Sequence, residues 1–164
     1  MSKGRVWKYG DNINTDVIFP GRYTYKMMEP AEMAKHALED LDPDFVKYVK
    51  LGDVIVAGRN FGCGSSREQA AACLRAAGVQ TVVAKSFARI YFRNAINLGL
   101  AVLQCEEASD MLKAGDEVEI DFERGEIISG ESIFKFFPLP DSVIGIIEAG
   151  GLIEFTKKKL AAGR

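Results

Sequence analysis

The chain has 164 residues, 48% of them hydrophobic and 27% charged. That is material for one compact core and too little for two comfortable domains, so a single domain over residues 1–164 is expected. A net charge of -2 offers no basic stripe for nucleic acid. Stretches such as residues 54–57 and 98–103 fall far short of the ~20 apolar residues that span a bilayer.

The first nine residues contain no apolar segment of the kind that secretory signals carry. The three cysteines, Cys63, Cys73 and Cys105, are odd in number and widely spaced. A disulfide framework is not expected from them, and a reducing cytoplasm fits best.

Residues 5–9 alternate weakly and read as a short strand. Residues 11–22 are rich in Asn, Asp, Pro and Gly and read as a loop. Residues 30–41 read as a helix, with Pro30 in the first turn and Met33, Ala34, Ala37, Leu38 and Leu41 at helical spacing. Asp42-Pro43 opens a second short helix through about Lys50, and Gly52-Asp53 makes a turn. Residues 54–57 form a buried strand, 58–64 a glycine-rich loop, and 65–77 a helix ended by Gly78. Residues 79–84 are a second buried strand, 86–98 a helix ended by Gly99, and 100–103 a third strand.

The middle of the chain therefore reads strand–helix–strand–helix–strand, which predicts right-handed crossovers and a parallel sheet. The last third changes character. Residues 117–122, 126–129 and 133–137 read as strands joined by tight turns such as Glu123-Arg124-Gly125. Residues 140–149 read as a helix with Val143, Ile144, Ile146 and Ile147 on its apolar face, stopped by Gly150-Gly151. Lys157-Lys158-Lys159 reads as a solvated tail.

The stretch Asn60-Phe61-Gly62-Cys63-Gly64-Ser65-Ser66-Arg67-Glu68 follows a strand and opens a helix. Ser65 and Glu68 have the spacing of a capping box, in which each side chain bonds the other's backbone N–H. Gly62 and Gly64 let the backbone turn tightly and approach a ligand. Free N–H groups and the positive end of the helix dipole then suit an anion. Arg67 adds a planar carboxylate binder. The stretch reads as a carboxylate-binding turn that also holds two hydroxyls. The plainer reading, in which Ser65 only caps a helix, stands beside it.

Other glycine-loop chemistries do not fit. There is no Gly-Lys-Ser/Thr phosphate loop, and Gly62-x-Gly64 lacks the third glycine of a dinucleotide fingerprint. The single histidine, His36, reads as a surface or boundary residue rather than a triad member. Cys63 beside a helix start could be an activated thiol, or simply a small residue tolerated in a tight loop. Cys73 has apolar neighbours and reads as core. The spacing of the three cysteines gives no support for a bound cluster.

The loop Gly62-Cys63-Gly64-Ser65-Ser66-Arg67-Glu68-Gln69-Ala70 resembles the Gly-x-Gly-Ser-Ser-Arg-Glu segment of the aconitase superfamily's swivelling domain. Gly10-Asp11-Asn12-Ile13-Asn14-Thr15-Asp16 and Pro20-Gly21-Arg22-Tyr23 are similar to the start of that family's stand-alone small subunits. Lys85-Ser86-Phe87-Ala88-Arg89-Ile90 resembles the segment after the next strand. The blocks keep the family's order over nearly the whole chain. The length matches the isopropylmalate- and homoaconitate-type small subunits, not the single-chain aconitases.

The resemblance implies an α/β fold: a three-layer β/β/α swivelling domain with a parallel central portion and an antiparallel C-terminal portion. It implies a hydro-lyase subunit that is inactive without a large subunit, with the 4Fe-4S cluster held by that partner and no metal on this chain. By matched position Ser65 would be the base that takes a proton from carbon. Arg67 would bind a carboxylate or stabilise the serine alkoxide. Asp16 would lie near the site, or serve only as a loop cap.

The substrate contacts implied are Gly64, Ser66, Arg22, Tyr23, Tyr25, Lys26, Met27 and Met28. Tyr25, Met27 and Met28 suit an isopropyl group, whereas Lys26 could pair with a third carboxylate. Isopropylmalate is the leading hydroxy acid, with homoaconitate-type, dimethylmalate and methylmalate substrates as alternatives. Two other function classes remain: a non-catalytic module that binds small acids, and an independent thiol enzyme using Cys63.

Overall fold

The computed structural model describes residues 3–163. Seven strands form one curled sheet in the order β4-β3-β2-β1-β5-β6-β7. The strands are β1 (Lys3–Lys8), β2 (Val54–Ala57), β3 (Thr81–Ala84), β4 (Ala101–Gln104), β5 (Glu117–Asp121), β6 (Glu126–Ser129) and β7 (Ser132–Lys135). Neighbours among β1 to β4 run parallel, and β1, β5, β6 and β7 pair antiparallel. The expected α/β class, with a parallel centre and an antiparallel C-terminal portion, is borne out.

The layers follow from the alternation of side chains along each strand. Every residue of β2 and β3 is buried, because both faces of the parallel part are covered. Ile55, Ala57, Val82, Ala84 and Val102 point into one core with Ala70, Ala71, Cys73, Leu74, Tyr91 and Ala95. Those partners belong to α4 (Gln69–Ala76) and α5 (Arg89–Asn97), the crossover helices. Val6, Val54, Val56, Val83 and Leu103 point the other way. They meet Val118, Ile120, Ile127, Phe134 and Phe136 of the curled antiparallel portion. The sheet thus folds over itself on one face and carries helices on the other.

Five sequence expectations are corrected. Residues 11–22 are not all loop, for α1 (Thr15–Ile18) and a 3-10 turn over Gly21–Tyr23 lie within them. The helix expected over 30–41 is regular only as α2 (Pro30–Ala34). Beyond it the chain proceeds by turns, and Leu38 adopts φ +56° while fully buried. The helix expected from Asp42 shortens to α3 (Phe45–Tyr48). A short α6 (Glu106–Met111) follows β4, buries Ala108 and Ser109, and was not foreseen.

The fifth correction concerns the C-terminus. Gly150 ends α7 (Asp141–Ala149) in the left-handed conformation as expected. A further helix α8 (Leu152–Ala162) then begins, so the three lysines lie on a helix. Phe155 of α8 lies against Gly145 of α7, where a Cβ would meet the ring at 2.8 Å.

Among the described residues no helix is long and apolar enough to cross a membrane.

Candidate active site

The loops after β1, β2 and β3 leave the parallel sheet at the same edge and are laced together by backbone hydrogen bonds. Gly62 N–H donates to the Ile13 carbonyl and Thr15 N–H to the Cys63 carbonyl, both at 2.8 Å. Phe61 N–H donates to Ser86 at 3.0 Å, and Ala88 N–H returns to Phe61 at 2.9 Å. This short ladder sets residues 13–15 beside 62–65 and fixes which side chains meet.

Gly62 and Gly64 hold φ +81° and +100°, and a Cβ on Gly64 would lie 2.7 Å from Asn14 Oδ1. The glycines therefore serve the turn and its close approach to residues 14 and 91, as backbone sterics require.

Ser65 is exposed and does not cap a helix. The expected capping box is absent: α4 starts at Gln69, Glu68 is its cap residue, and neither side chain closes on the other. The physical reason is that Ser65 has other partners. Its backbone N–H donates to Thr15 Oγ1 at 3.0 Å, and the two hydroxyl oxygens lie 3.2 Å apart. Residues 65–67 consequently run irregularly ahead of the helix. The reading of Ser65 at the positive end of a helix dipole falls with the cap.

Arg67 is largely buried, with 13% of its side chain exposed, and its guanidinium is the hub of the site. Nε donates to Ser65 Oγ at 2.9 Å. One terminal nitrogen donates to Thr24 Oγ1 at 2.6 Å. The other reaches the Asp16 carboxylate and the Phe19 carbonyl, the latter at 3.1 Å. Arginine has five N–H donors and no acceptor, so this arrangement leaves one N–H unengaged. A bidentate grip on an outside carboxylate would require releasing a present partner.

The family model for the aconitase C-terminal domain matches residues 12–108, which contain all of this lattice. The chain belongs to that family. A 3-isopropylmalate dehydratase small subunit of Caldicellulosiruptor saccharolyticus is 57% identical over 96% of this chain and 92% of its own. A small subunit of the same name from Archaeoglobus fulgidus is 55% identical over 94% of this chain and 96% of its own. The isopropylmalate/citramalate isomerase small subunit of Methanocaldococcus jannaschii is 49% identical over 97% of this chain and 95% of its own. A crystal structure of 3-isopropylmalate dehydratase from that organism superposes with a TM-score of 0.91. It is 45% identical and covers 98% of this chain and 96% of its own. These relatives are named as subunits of a dehydratase or isomerase, so this family member is a hydro-lyase subunit.

The remaining residues singled out in the sequence divide into two groups. Asp16, Gly64, Ser65, Ser66 and Arg67 are brought together, with Ser66 fixed by Asn94 Nδ2 on its carbonyl at 3.0 Å. Asp16 is anchored by its backbone N–H on Asn14 Oδ1 at 2.8 Å, and its carboxylate faces Arg67.

Arg22, Tyr23, Tyr25, Lys26, Met27 and Met28 form a neighbouring loop that makes no hydrogen bond to Ser65 among the described residues; the partners of Ser65 are Thr15 and Arg67. Arg22 pairs with Asp40 and Glu39, and Asp40 foremost raises its pKa further. Tyr23 stacks on His36 at 4.1 Å and carries Lys26 over its ring at 5.3 Å. Tyr25 and Met27 are fully exposed, whereas Met28 rests against the helical core.

Three residues that sequence reasoning missed tie these groups together. Thr15 holds Ser65. Thr24 accepts Arg67 with its hydroxyl, and its carbonyl accepts Gln69 Nε2 at 3.1 Å. The Tyr23–Met28 segment is thereby clasped to the serine loop. No local signal marks these side chains as partners, although Thr15 and Gln69 both lie within blocks that carry the family resemblance.

Cys63 is half-buried, while Cys73 and Cys105 are buried in the two separate cores. Burial pushes the Cys73 thiol well up. The three thiols do not converge and do not fit an iron–sulfur cluster. Among the described residues no group of three or more His, Cys, Asp or Glu is placed to hold a metal ion.

Proposed function

We propose that this chain is the small subunit of a 3-isopropylmalate dehydratase. With a large subunit it would interconvert 2-isopropylmalate and 3-isopropylmalate in leucine biosynthesis, in the cytoplasm. It acts as a single swivelling domain over residues 1–164. The large subunit would hold the 4Fe-4S cluster, which would supply Lewis-acid polarisation of the substrate hydroxyl. Neither nucleic acid nor a membrane takes part. The full-length relatives support the assignment.

The observation that carries the mechanism is the Ser65–Arg67 contact. Ser65 Oγ takes the proton from the carbon beside a carboxylate. The C–H bond breaks, its electron pair forms the carbon–carbon double bond, and hydroxide leaves from the adjacent carbon. Proton and hydroxide together make one water, and their return in the opposite sense gives the isomer. A free serine hydroxyl is a poor base. Charge-assisted donation from Arg67 Nε favours the alkoxide and lowers its pKa. Arg67 is committed to that task by its other partners, and Asp16 holds its far side.

Gly64 and Ser66 lie beside the base on its loop and contact the bound acid. Arg22, Tyr23, Tyr25, Lys26, Met27 and Met28 form the rim over the variable part of the substrate. Tyr25 and Met27 offer an uncovered apolar surface for an isopropyl group. Homoaconitate-type, dimethylmalate and methylmalate turnover are the alternatives, and one relative is named for citramalate as well.

The test is an anaerobic assay of the chain mixed with the large subunit of the same organism. It offers isopropylmalate, homocitrate, dimethylmalate and citramalate. Preference for isopropylmalate, seen only with both chains present, is expected. Turnover of another acid would move the pathway and keep the mechanism. No turnover by a verified, cluster-loaded complex would favour a non-catalytic acid-binding module. Activity of the isolated chain, stopped by alkylation of Cys63, would favour a thiol enzyme.

A further inference from the structure

We propose that Thr15 is a positioning residue whose hydroxyl donates a second hydrogen bond to the Ser65 oxygen, so that this oxygen sits in a two-donor cradle with its own proton facing the substrate. The inference rests on the reading of Ser65 as the base.

Thr15 is 1% exposed, and its Oγ1 already accepts the Ser65 backbone N–H at 3.0 Å. Its own hydroxyl proton needs an acceptor. Among the described residues, Ser65 Oγ at 3.2 Å is the acceptor within hydrogen-bond reach. The reverse assignment, with Ser65 donating to Thr15, would leave the buried Thr15 hydroxyl proton unpaired, which protein interiors avoid.

Arg67 Nε also faces Ser65 Oγ, at 2.9 Å, and can only donate. Two directions around the serine oxygen are thus filled by donors. Its own proton is left to the exposed side, where an incoming acid lies. When that proton is gone, both donors remain aimed at the negative oxygen and need no rearrangement, which is the arrangement that stabilises developing charge.

The backbone supports the geometry independently of the side chains. Thr15 N–H on the Cys63 carbonyl and Gly62 N–H on the Ile13 carbonyl lock the two segments in register. Asn14 and Cys63 form a parallel bridge between them. Thr15 then begins α1, with Asn14 capping its first turn through Asp16 N–H.

The experiment uses the reconstituted two-subunit enzyme with the parent chain, Thr15→Val, Thr15→Ser and Ser65→Ala, and measures kcat, KM and the pH profile of kcat/KM. One neutral donor to a developing oxyanion is worth ~10²–10³ in kcat. The Thr15 contact is long at 3.2 Å, so Thr15→Val is expected to lower kcat by about 10²-fold, the low end of that range. KM should stay near the parent value. The limb of the profile that rises as Ser65 ionises should move to higher pH, and Thr15→Ser should restore both readings.

A Thr15→Val enzyme with parent kcat and an unmoved limb, beside an inactive Ser65→Ala, would overturn the inference and leave the base assignment intact. Thr15→Ser behaving like Thr15→Val would assign the loss to packing and also overturn it. An active Ser65→Ala would overturn the base assignment and the inference together. Thr15→Ala deletes the same hydroxyl without placing a methyl at the oxygen position. It supplies the same readings if the valine variant does not assemble.

Discussion

Replacing Arg67 by lysine separates charge from geometry. The positive charge stays, but the planar fork is lost, and a single ammonium cannot serve Ser65, Thr24, Asp16 and the Phe19 carbonyl together. In the proposed mechanism the contact that sets the rate is Nε to Ser65 Oγ, at 2.9 Å. Removing one donor from a developing oxyanion costs about 2.7–4 kcal/mol, or ~10²–10³ in kcat. Folding stability should fall less. Hydrogen bonds from a charged donor contribute about 1.5–3 kcal/mol each, but the Asp16 partner is 64% exposed, so solvent screens that pair. Lysine also retains one or two of the contacts. A loss of about 1–2 kcal/mol follows, which lowers Tm by about 2–8 °C in a chain of this size. Steady-state kinetics of the reconstituted enzyme at saturating isopropylmalate, with a thermal melt of the chain alone, read both quantities. An unchanged kcat with a KM raised tenfold or more would refute the reasoning, because it would make Arg67 a binder of the substrate carboxylate.

The other predictions address the scaffold. Gly62→Ala places a Cβ on the Tyr91 ring at φ +81°. It should destabilise by at least ~2 kcal/mol from strain and overpacking, whereas Gly10→Ala, which meets nothing, should stay within ~0.5 kcal/mol in the same melts. Gln69→Ala releases one side of the clasp on the Thr24 carbonyl, and faster amide exchange over residues 23–28 with a raised KM is the expected outcome. Glu39 gives a pH signature. Burial works against its ionisation, yet hydrogen bonds from His36 and Tyr23 and the nearby Arg22 charge bring its carboxyl below the ordinary value. A lowered folded value means that its contribution is present above the unfolded pKa near ~4.3. That contribution is lost as pH falls through the folded value. Acid titration of stability should therefore be less steep in Glu39→Gln below about pH 4.

The parallel sheet was legible because its strands are short apolar runs between glycines. Val54 to Ala57 and Val82 to Ala84 are buried on both faces and could hardly be anything else. Glycines that stop helices were legible for the same local reason, as at Gly78, Gly99 and Gly150. The capping box at Ser65 misled because the pattern is local and the competing partner is not. Thr15, fifty positions away, takes the Ser65 N–H and delays the helix to Gln69. The helix over residues 30–41 misled because tertiary packing prevails after Ala34, where Leu38 enters the core at positive φ.

The C-terminal helix was hidden by its own composition. Ile153 and Leu160 stay exposed, and three consecutive lysines read as solvent-facing tail. At the site, the family resemblance marked Ser65, Arg67 and Asp16 as candidates, and the fold brings the three into one hydrogen-bonded group. The direction of Arg67 has no local sequence signal: it turns toward Ser65 rather than outward. The same holds for Arg22, which pairs with Asp40 and Glu39.

The most direct test of the central claim is the anaerobic isopropylmalate isomerisation rate of a cluster-loaded complex carrying Ser65→Ala. Cluster content and subunit assembly are verified in the same preparation. The account predicts a kcat lower by at least ~10³ with substrate binding retained, since the base is gone and the rim is intact. A complex that turns over within tenfold of the parent would contradict it, and would mean that another group removes the proton.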